Sequence, residues 1–245
     1  MKTILSLLAP VFLLSNAWAA TTVVTAAGGA PSAEGWTVTT GGTGPAGDFS
    51  GDPNSNTGGG AASVVAGPPA WGIFAAPGSS ITADFALPLI GPGGFVSIVL
   101  DNSSVAPGVS VGVQFFSGGP GGTLAFEYLF TGGPAVYNYG DASGFGNPTT
   151  TPFTADGLML TLRNLGGGTY SFDDGVSPTL FGGFIGAVPT IDTIRVADFG
   201  NNFSAGDDLF FNTLSYDPVP EPAGMVLLLV SAMGLTVWRR RSRWV

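Results

Sequence analysis

The sequence predicts an all-β protein, an antiparallel β-sandwich flanked by one apolar helix at each terminus. Three observations predict it. Short apolar runs alternate with polar or small residues at a period of two, as strands with one buried face do. Forty glycines and nineteen prolines punctuate those runs, and these residues supply the dihedral angles that turns require. No window between the termini sustains a helical period, so the pattern reads strand, turn, strand.

The elements follow in chain order. Lys2 precedes an apolar stretch, residues 4–14, and Ala17-Trp18-Ala19 is a small-x-small cleavage pattern. Together they predict a secretory signal peptide over residues 1–19. Candidate strands follow at residues 36–39, 61–65, 81–85 and 95–100. Val109, Val111, Val113 and Phe115 then alternate with Ser110, Gly112 and Gln114. Phe126, Tyr128 and Phe130 alternate around Glu127, and residues 135–139 form another candidate. Leu158, Leu160 and Leu162 alternate around Thr161 and Arg163, with further strands at 169–172, 191–196 and 209–216. Gly91-Pro92-Gly93-Gly94, Gly132-Gly133-Pro134 and Gly166-Gly167-Gly168 are turn signals between them. Some eleven short strands in one domain, residues 20–217, argue for a sandwich. Residues 40–60 hold almost no apolar side chains and are expected to form a flexible loop.

The C-terminal segment, residues 218–245, has its own order. Val219-Pro220-Glu221-Pro222 comes first, then the uncharged apolar run 223–238, then Arg239, Arg240, Arg241 and Arg243. The prolines let a helix begin only after them. An arginine cluster stays on the cytoplasmic side of a membrane. Sixteen residues (223–238) rise about 24 Å as a helix, short of the roughly 20 residues that a full span needs. This combination resembles the PEP-CTERM sorting signal of bacterial exported proteins. The resemblance implies recognition by a membrane protease-transpeptidase, an exosortase, at Val219, Pro220, Glu221 and Pro222, with the four arginines as the cytoplasmic stop. It further implies export through the inner membrane of a Gram-negative bacterium, transient membrane anchoring, and release to the cell surface or the extracellular space.

Charge narrows the class. Between residues 20 and 219 there are fifteen acids and two bases, Arg163 and Arg195, a net charge of −13. Phosphate binding depends on Lys and Arg, so no nucleic-acid partner is expected. The chain has neither cysteine nor histidine. Disulfides, Ser-His-Asp and Cys-His catalysis and ordinary zinc sites are thereby excluded.

The middle of the chain carries a second resemblance. Trp71-Gly72-Ile73-Phe74, Phe95-Val96-Ser97-Ile98-Val99-Leu100-Asp101-Asn102, Val109-Ser110-Val111-Gly112-Val113-Gln114-Phe115, Phe153-Thr154-Ala155-Asp156-Gly157-Leu158 and Asp207-Asp208-Leu209-Phe210-Phe211-Asn212-Thr213-Leu214 follow one another. That succession resembles a concanavalin-like jelly-roll module of bacterial secreted proteins. The fold class expected is thus a jelly-roll-like β-sandwich between the signal-peptide helix and the C-terminal helix.

Candidate sites are few. Glycoside hydrolysis needs two carboxylates about 5 to 9.5 Å apart, and no pair of acids stands out. No catalytic residue is assigned, and the chain is expected not to be an enzyme. Asp52, Asn54 and Asn56 alternate as in the first half of a calcium loop, but no glutamate closes it. Asp173-Asp174 and Asp207-Asp208 are adjacent acids in expected turns. The jelly-roll resemblance makes Asp207 and Asp208 the candidate ligands of a structural calcium, and no other cofactor is expected. Trp71, Tyr137 and Tyr139 are candidates for stacking against a sugar, and the two tyrosines share one strand face. The reading is an exported cell-surface or extracellular-matrix protein with a structural role. Its alternative is a carbohydrate-binding module acting in exopolysaccharide or biofilm. Partners expected are the export machinery, an exosortase, the inner membrane and a polysaccharide.

Overall fold

The structure is a computed structural model. It describes residues 21–27, 31–42, 48–50, 71–74, 79–102, 110–131, 136–152, 158–199 and 209–218. The two terminal helices, strand 61–65, the sorting motif Val219 to Pro222, the arginine cluster and the pair Asp207-Asp208 lie outside those residues. Among the described residues, no helix is long and apolar enough to cross a membrane.

The described chain is nearly all β, in two antiparallel sheets. The first sheet runs β13 (Leu180–Gly183), β12 (Thr169–Asp173), β11 (Leu158–Gly166), β6 (Phe95–Asn102), β15 (Leu209–Asp217), β4 (Trp71–Phe74), β3 (Asp48–Ser50), and β1 (Thr22–Thr25) also pairs with β15. The second runs β10 (Gly144–Pro152), β9 (Val136–Asp141), β8 (Thr123–Phe130), β7 (Val111–Ser117), β14 (Ile191–Asp198), β5 (Ser79–Ile90), β2 (Thr37–Gly42). β1 and β4 share one side of β15, on either side of a register shift between Phe211 and Thr213.

Alternation fills the space between the sheets. From β11, Leu158, Leu160 and Leu162 point inward, while Met159 and Arg163 are exposed and Thr161 half-buried. From β7, Val111, Val113 and Phe115 are fully buried. Aromatic rings dominate both ends of the core. Trp36, Trp71 and Phe211 meet at centroid distances of 4.9 to 5.1 Å. Phe126 packs on Tyr170 and Phe172 at 4.8 and 4.7 Å. Each such ring contributes about 1.5–3 kcal/mol on burial.

Several elements differ from the sequence expectation. Residues 40–42 belong to β2 and 48–50 to β3, inside the segment expected to be a loop. Gly41 and Gly42 pair with Ser80 and Ser79 of β5, because ladder bonds come from the backbone and need no apolar side chain. β10 was not expected, since it holds Pro148 and Pro152. It forms because it is an edge strand with two register shifts, where proline costs no ladder bond. β13, Leu-Phe-Gly-Gly, is likewise an edge strand.

Candidate functional site

The structure buries two of the three aromatics expected to stack against a sugar. Trp71 is fully buried and Tyr137 is 3% exposed. Trp71 is enclosed by Trp36 and Phe211, and Tyr137 stacks on Tyr128 at 4.8 Å. A sugar needs an exposed ring face, and these faces are occupied by core neighbours. Tyr139 shares the inward face of β9 as its spacing requires, and lies half-buried beside Phe126.

The adjacent acids Asp173 and Asp174 are split by strand alternation. Asp174 turns inward and is 3% exposed. Its Oδ2 accepts from Tyr128 Oη at 2.8 Å and Thr151 Oγ1 at 2.5 Å, and its Oδ1 from the amides of Val176 at 3.0 Å and Ser177 at 2.6 Å. Burial pushes its carboxyl up; the bonds from Thr151, Val176, Tyr128 and Ser177 outweigh that and hold it below its ordinary value. A second buried pair mirrors the first. Tyr170 Oη donates to Asp141 Oδ2 at 2.7 Å, and Asp141 Oδ1 accepts from Ser143 N at 2.8 Å and Ser143 Oγ at 2.5 Å. Tyr128 belongs to the second sheet and Asp174 follows β12 of the first; Tyr170 belongs to the first and Asp141 to the second. The pairs therefore clasp the two sheets reciprocally. Burial raises both phenols well above their ordinary range. These acids are structural, since every donor around them is already used.

The outer face of the second sheet is closed by its own side chains. Arg195 and Asp84 are register partners. They form a bidentate ion pair, Nε to Oδ1 at 2.6 Å and Nη2 to Oδ2 at 3.0 Å. Gln114 Nε2 donates to Glu127 Oε2 at 3.0 Å in the same row.

The outer face of the first sheet is different. Register places Asp217, Phe95, Arg163, Ser171 and Phe181 in one row across β15, β6, β11, β12 and β13. Ser215, Ser97, Thr161 and Asp173 form the next row. A groove of about 310 Å³ lies on this face, lined by Met159, Thr161, Arg163, Ser171, Asp173 and Thr179 among others. Phe181 stands beside Ser171 with 74% of its surface exposed. Among the described residues, Arg163 has no carboxylate in ion-pair distance; its guanidinium lies 5.2 Å over the Phe95 ring, and Nη1 reaches Gly93 O at 3.4 Å. Asp173 Oδ1 accepts from Gly175 N at 2.7 Å, while Oδ2 has only Thr179 Oγ1 at 3.4 Å. The groove thus offers donors and acceptors, with the exposed Phe181 ring on the adjoining strand, the mixture that orients a small polar ligand. Asp173 is the one carboxylate among its lining residues.

The sequence exposed Thr161 and Arg163 by their alternation with leucines. It missed Phe181 because β13 is too short and glycine-rich to register as a strand, and it missed Ser171, inside the expected strand 169–172, because only the register pairs it with Arg163. Among the described residues, no group of three or more acids could hold a metal ion.

No protein-family model and no curated protein matches the chain. Solved structures similar to it include a family 16 glycosyl hydrolase protein from Mycobacterium smegmatis, 13% identical with TM-score 0.45, over 82% of this chain and all of that one. A sialidase is 11% identical with TM-score 0.45, over 65% of this chain. This chain spans only 16% of that sialidase. A homodimeric agglutinin from chicken liver, CG-16, is 14% identical with TM-score 0.36, over 53% of this chain and 98% of that one. The first two correct one sequence expectation. Proteins called a glycosyl hydrolase and a sialidase are among them, against the expectation that the chain is not an enzyme.

Proposed function

We propose that the chain is an exported glycan-binding β-sandwich, acting at the cell surface or in the extracellular polysaccharide. One observation carries the reading: the groove over β11 and β12, flanked by the exposed Phe181, where unpaired donor and acceptor capacity lies beside an aromatic ring. The opposite sheet face, closed by Arg195–Asp84 and Gln114–Glu127, offers no such set. The agglutinin among the similar structures agrees in fold, but the groove itself supports the assignment. Retention of the full chain on polysaccharide gels is the test. Mobility equal to that of a non-binding control on every gel overturns the reading.

The terminal signals supply its address. The signal peptide over residues 1–19 and the PEP-CTERM-like segment 218–245 support export across the inner membrane, followed by exosortase processing near Val219 to Pro222. A structural calcium at Asp207 and Asp208 completes the proposal. Mass spectrometry of the mature C-terminus checks the processing, and an intact arginine tail contradicts it.

A further inference from the structure

Resting on the glycan-binding reading above, we infer that the groove selects neutral glycans, with Arg163 and Asp173 reading neighbouring hydroxyls while Phe181 stacks on a ring face. An arginine in a groove ordinarily points to an anionic ligand. Here its surroundings argue otherwise. Arg163 pairs in register with Ser171, so Asp173, two residues along β12, is its diagonal neighbour, roughly 7–8 Å away. Asp217 lies in the same row as Arg163, beyond Phe95. Within the groove the one cation, Arg163, faces the one carboxylate, Asp173, and the local charge sums to zero. A uronate or sulfate would approach Arg163 only by approaching Asp173 as well.

Hydrogen-bonding capacity points the same way. Arginine can only donate, and an ionised carboxylate can only accept. The 3.4 Å contact from Arg163 to Gly93 O and the 3.4 Å contact to Asp173 Oδ2 are longer than ordinary hydrogen bonds, so both groups keep capacity for a ligand. A hydroxyl donates and accepts. Neighbouring sugar hydroxyls therefore satisfy both groups, whereas a carboxylate satisfies one and opposes the other. The face of the Phe181 ring carries negative potential, which suits the C–H face of a sugar ring. Over longer range, a segment with net charge −13 repels a polyanion.

The experiment compares retention of the full chain on gels of neutral polysaccharide (cellulose, xylan, starch) and acidic polysaccharide (alginate, polygalacturonate). It is run at about 10 mM and about 1 M salt, where the screening length falls from roughly 30 Å to roughly 3 Å. The expected result is retention on a neutral gel that salt does not change. Phe181→Ala and Arg163→Ala should each weaken it about tenfold. Arg163→Gln, which keeps donors but not charge, should weaken it less than Arg163→Ala. Phe145→Ala removes a ring that is also exposed, at 64%, but lies on β9's edge partner β10, and should leave retention unchanged. Circular dichroism and melting curves equal to the parent's establish that each variant is folded. Retention confined to acidic gels and abolished by salt overturns the neutral class while leaving glycan binding intact. A folded parent retained on no gel overturns both.

Discussion

Replacing Asp174 by alanine removes the acceptor at the centre of one inter-sheet clasp. Four donors lose their partner: Tyr128 Oη, Thr151 Oγ1 and the amides of Val176 and Ser177. They do not suffer equally. Thr151 keeps Ser177 Oγ at 2.7 Å, and water can reach the two turn amides. Tyr128 is fully buried, so its hydroxyl loses its carboxylate acceptor and is left an orphan but for the Thr151 hydroxyl beside it, at about 1–3 kcal/mol. With the lost bonds to a charged acceptor, each worth about 1.5–3 kcal/mol, the total is about 3–5 kcal/mol. For a domain of this size that lowers the melting temperature by roughly 10 °C. Tyr128→Phe should cost less, about 1.5–3 kcal/mol, because Asp174 keeps three donors and the ring keeps its packing on Tyr137 and Phe172. The double variant is the discriminating measurement. Once the carboxylate is gone, removing the hydroxyl relieves the orphan, so Tyr128→Phe should be neutral or stabilising in the Asp174→Ala background. Urea denaturation of all four proteins gives the cycle. Additive costs, or a loss below about 1 kcal/mol for Asp174→Ala, would refute the clasp. The pH dependence follows from the same geometry. The folded carboxyl of Asp174 lies below its ordinary value of 3.8. Its contribution is present above that value and lost as pH falls through the folded pKa. The parent should therefore lose stability below about pH 4, and Asp174→Ala should show a shallower acid limb.

The remaining predictions use other parts of the molecule. Tyr128 and Tyr170 both have folded pKa values raised above the ordinary 10.0, so their contributions are present below pH 10.0 and lost above it. Stability should fall at up to about 2.7 kcal/mol per pH unit there, and Tyr170→Phe should halve the slope in alkaline melts. Arg195→Ala strands Asp84, which is 4% exposed, and should cost about 3–5 kcal/mol, read as a lowered urea midpoint. Gly182→Ala places a methyl against the Asp141 carboxylate and the Tyr170 hydroxyl, two groups already bonded to each other, and should cost about 1–3 kcal/mol in thermal melts.

Much of the fold was legible in the chain. Leu158, Leu160 and Leu162 alternating with Thr161 and Arg163 announced a strand and told which side was the core. The glycine and proline punctuation announced the turns. Where the signal failed, the backbone rather than side chains held the strand: β2 continues through Gly41-Gly42, and β10 runs through two prolines at an edge. The candidate site was legible only in part. Arg163 was known to point outward, but its neighbours were not, because the register of four strands sets them: Phe95 comes from β6, far off in sequence, and Phe181 from β13, which the period did not reveal.

The sequence by itself determined the all-β class, the acidic charge of the central segment and the absence of histidine and cysteine chemistry, because composition and period are local properties. The export and sorting signals proposed for the termini are likewise linear motifs, read without reference to a fold. Only the tertiary structure decided which aromatics are exposed. Trp71 and Tyr137 are large amphipathic rings like any other in the sequence, and register buried them in the core. Phe181 lies in a four-residue edge strand that sequence period could not detect, and the same register left its ring in solvent. It also decided the fates of Asp173 and Asp174. They are chemically identical neighbours, yet a strand turns successive side chains to opposite faces, placing one in the groove and locking the other between the sheets.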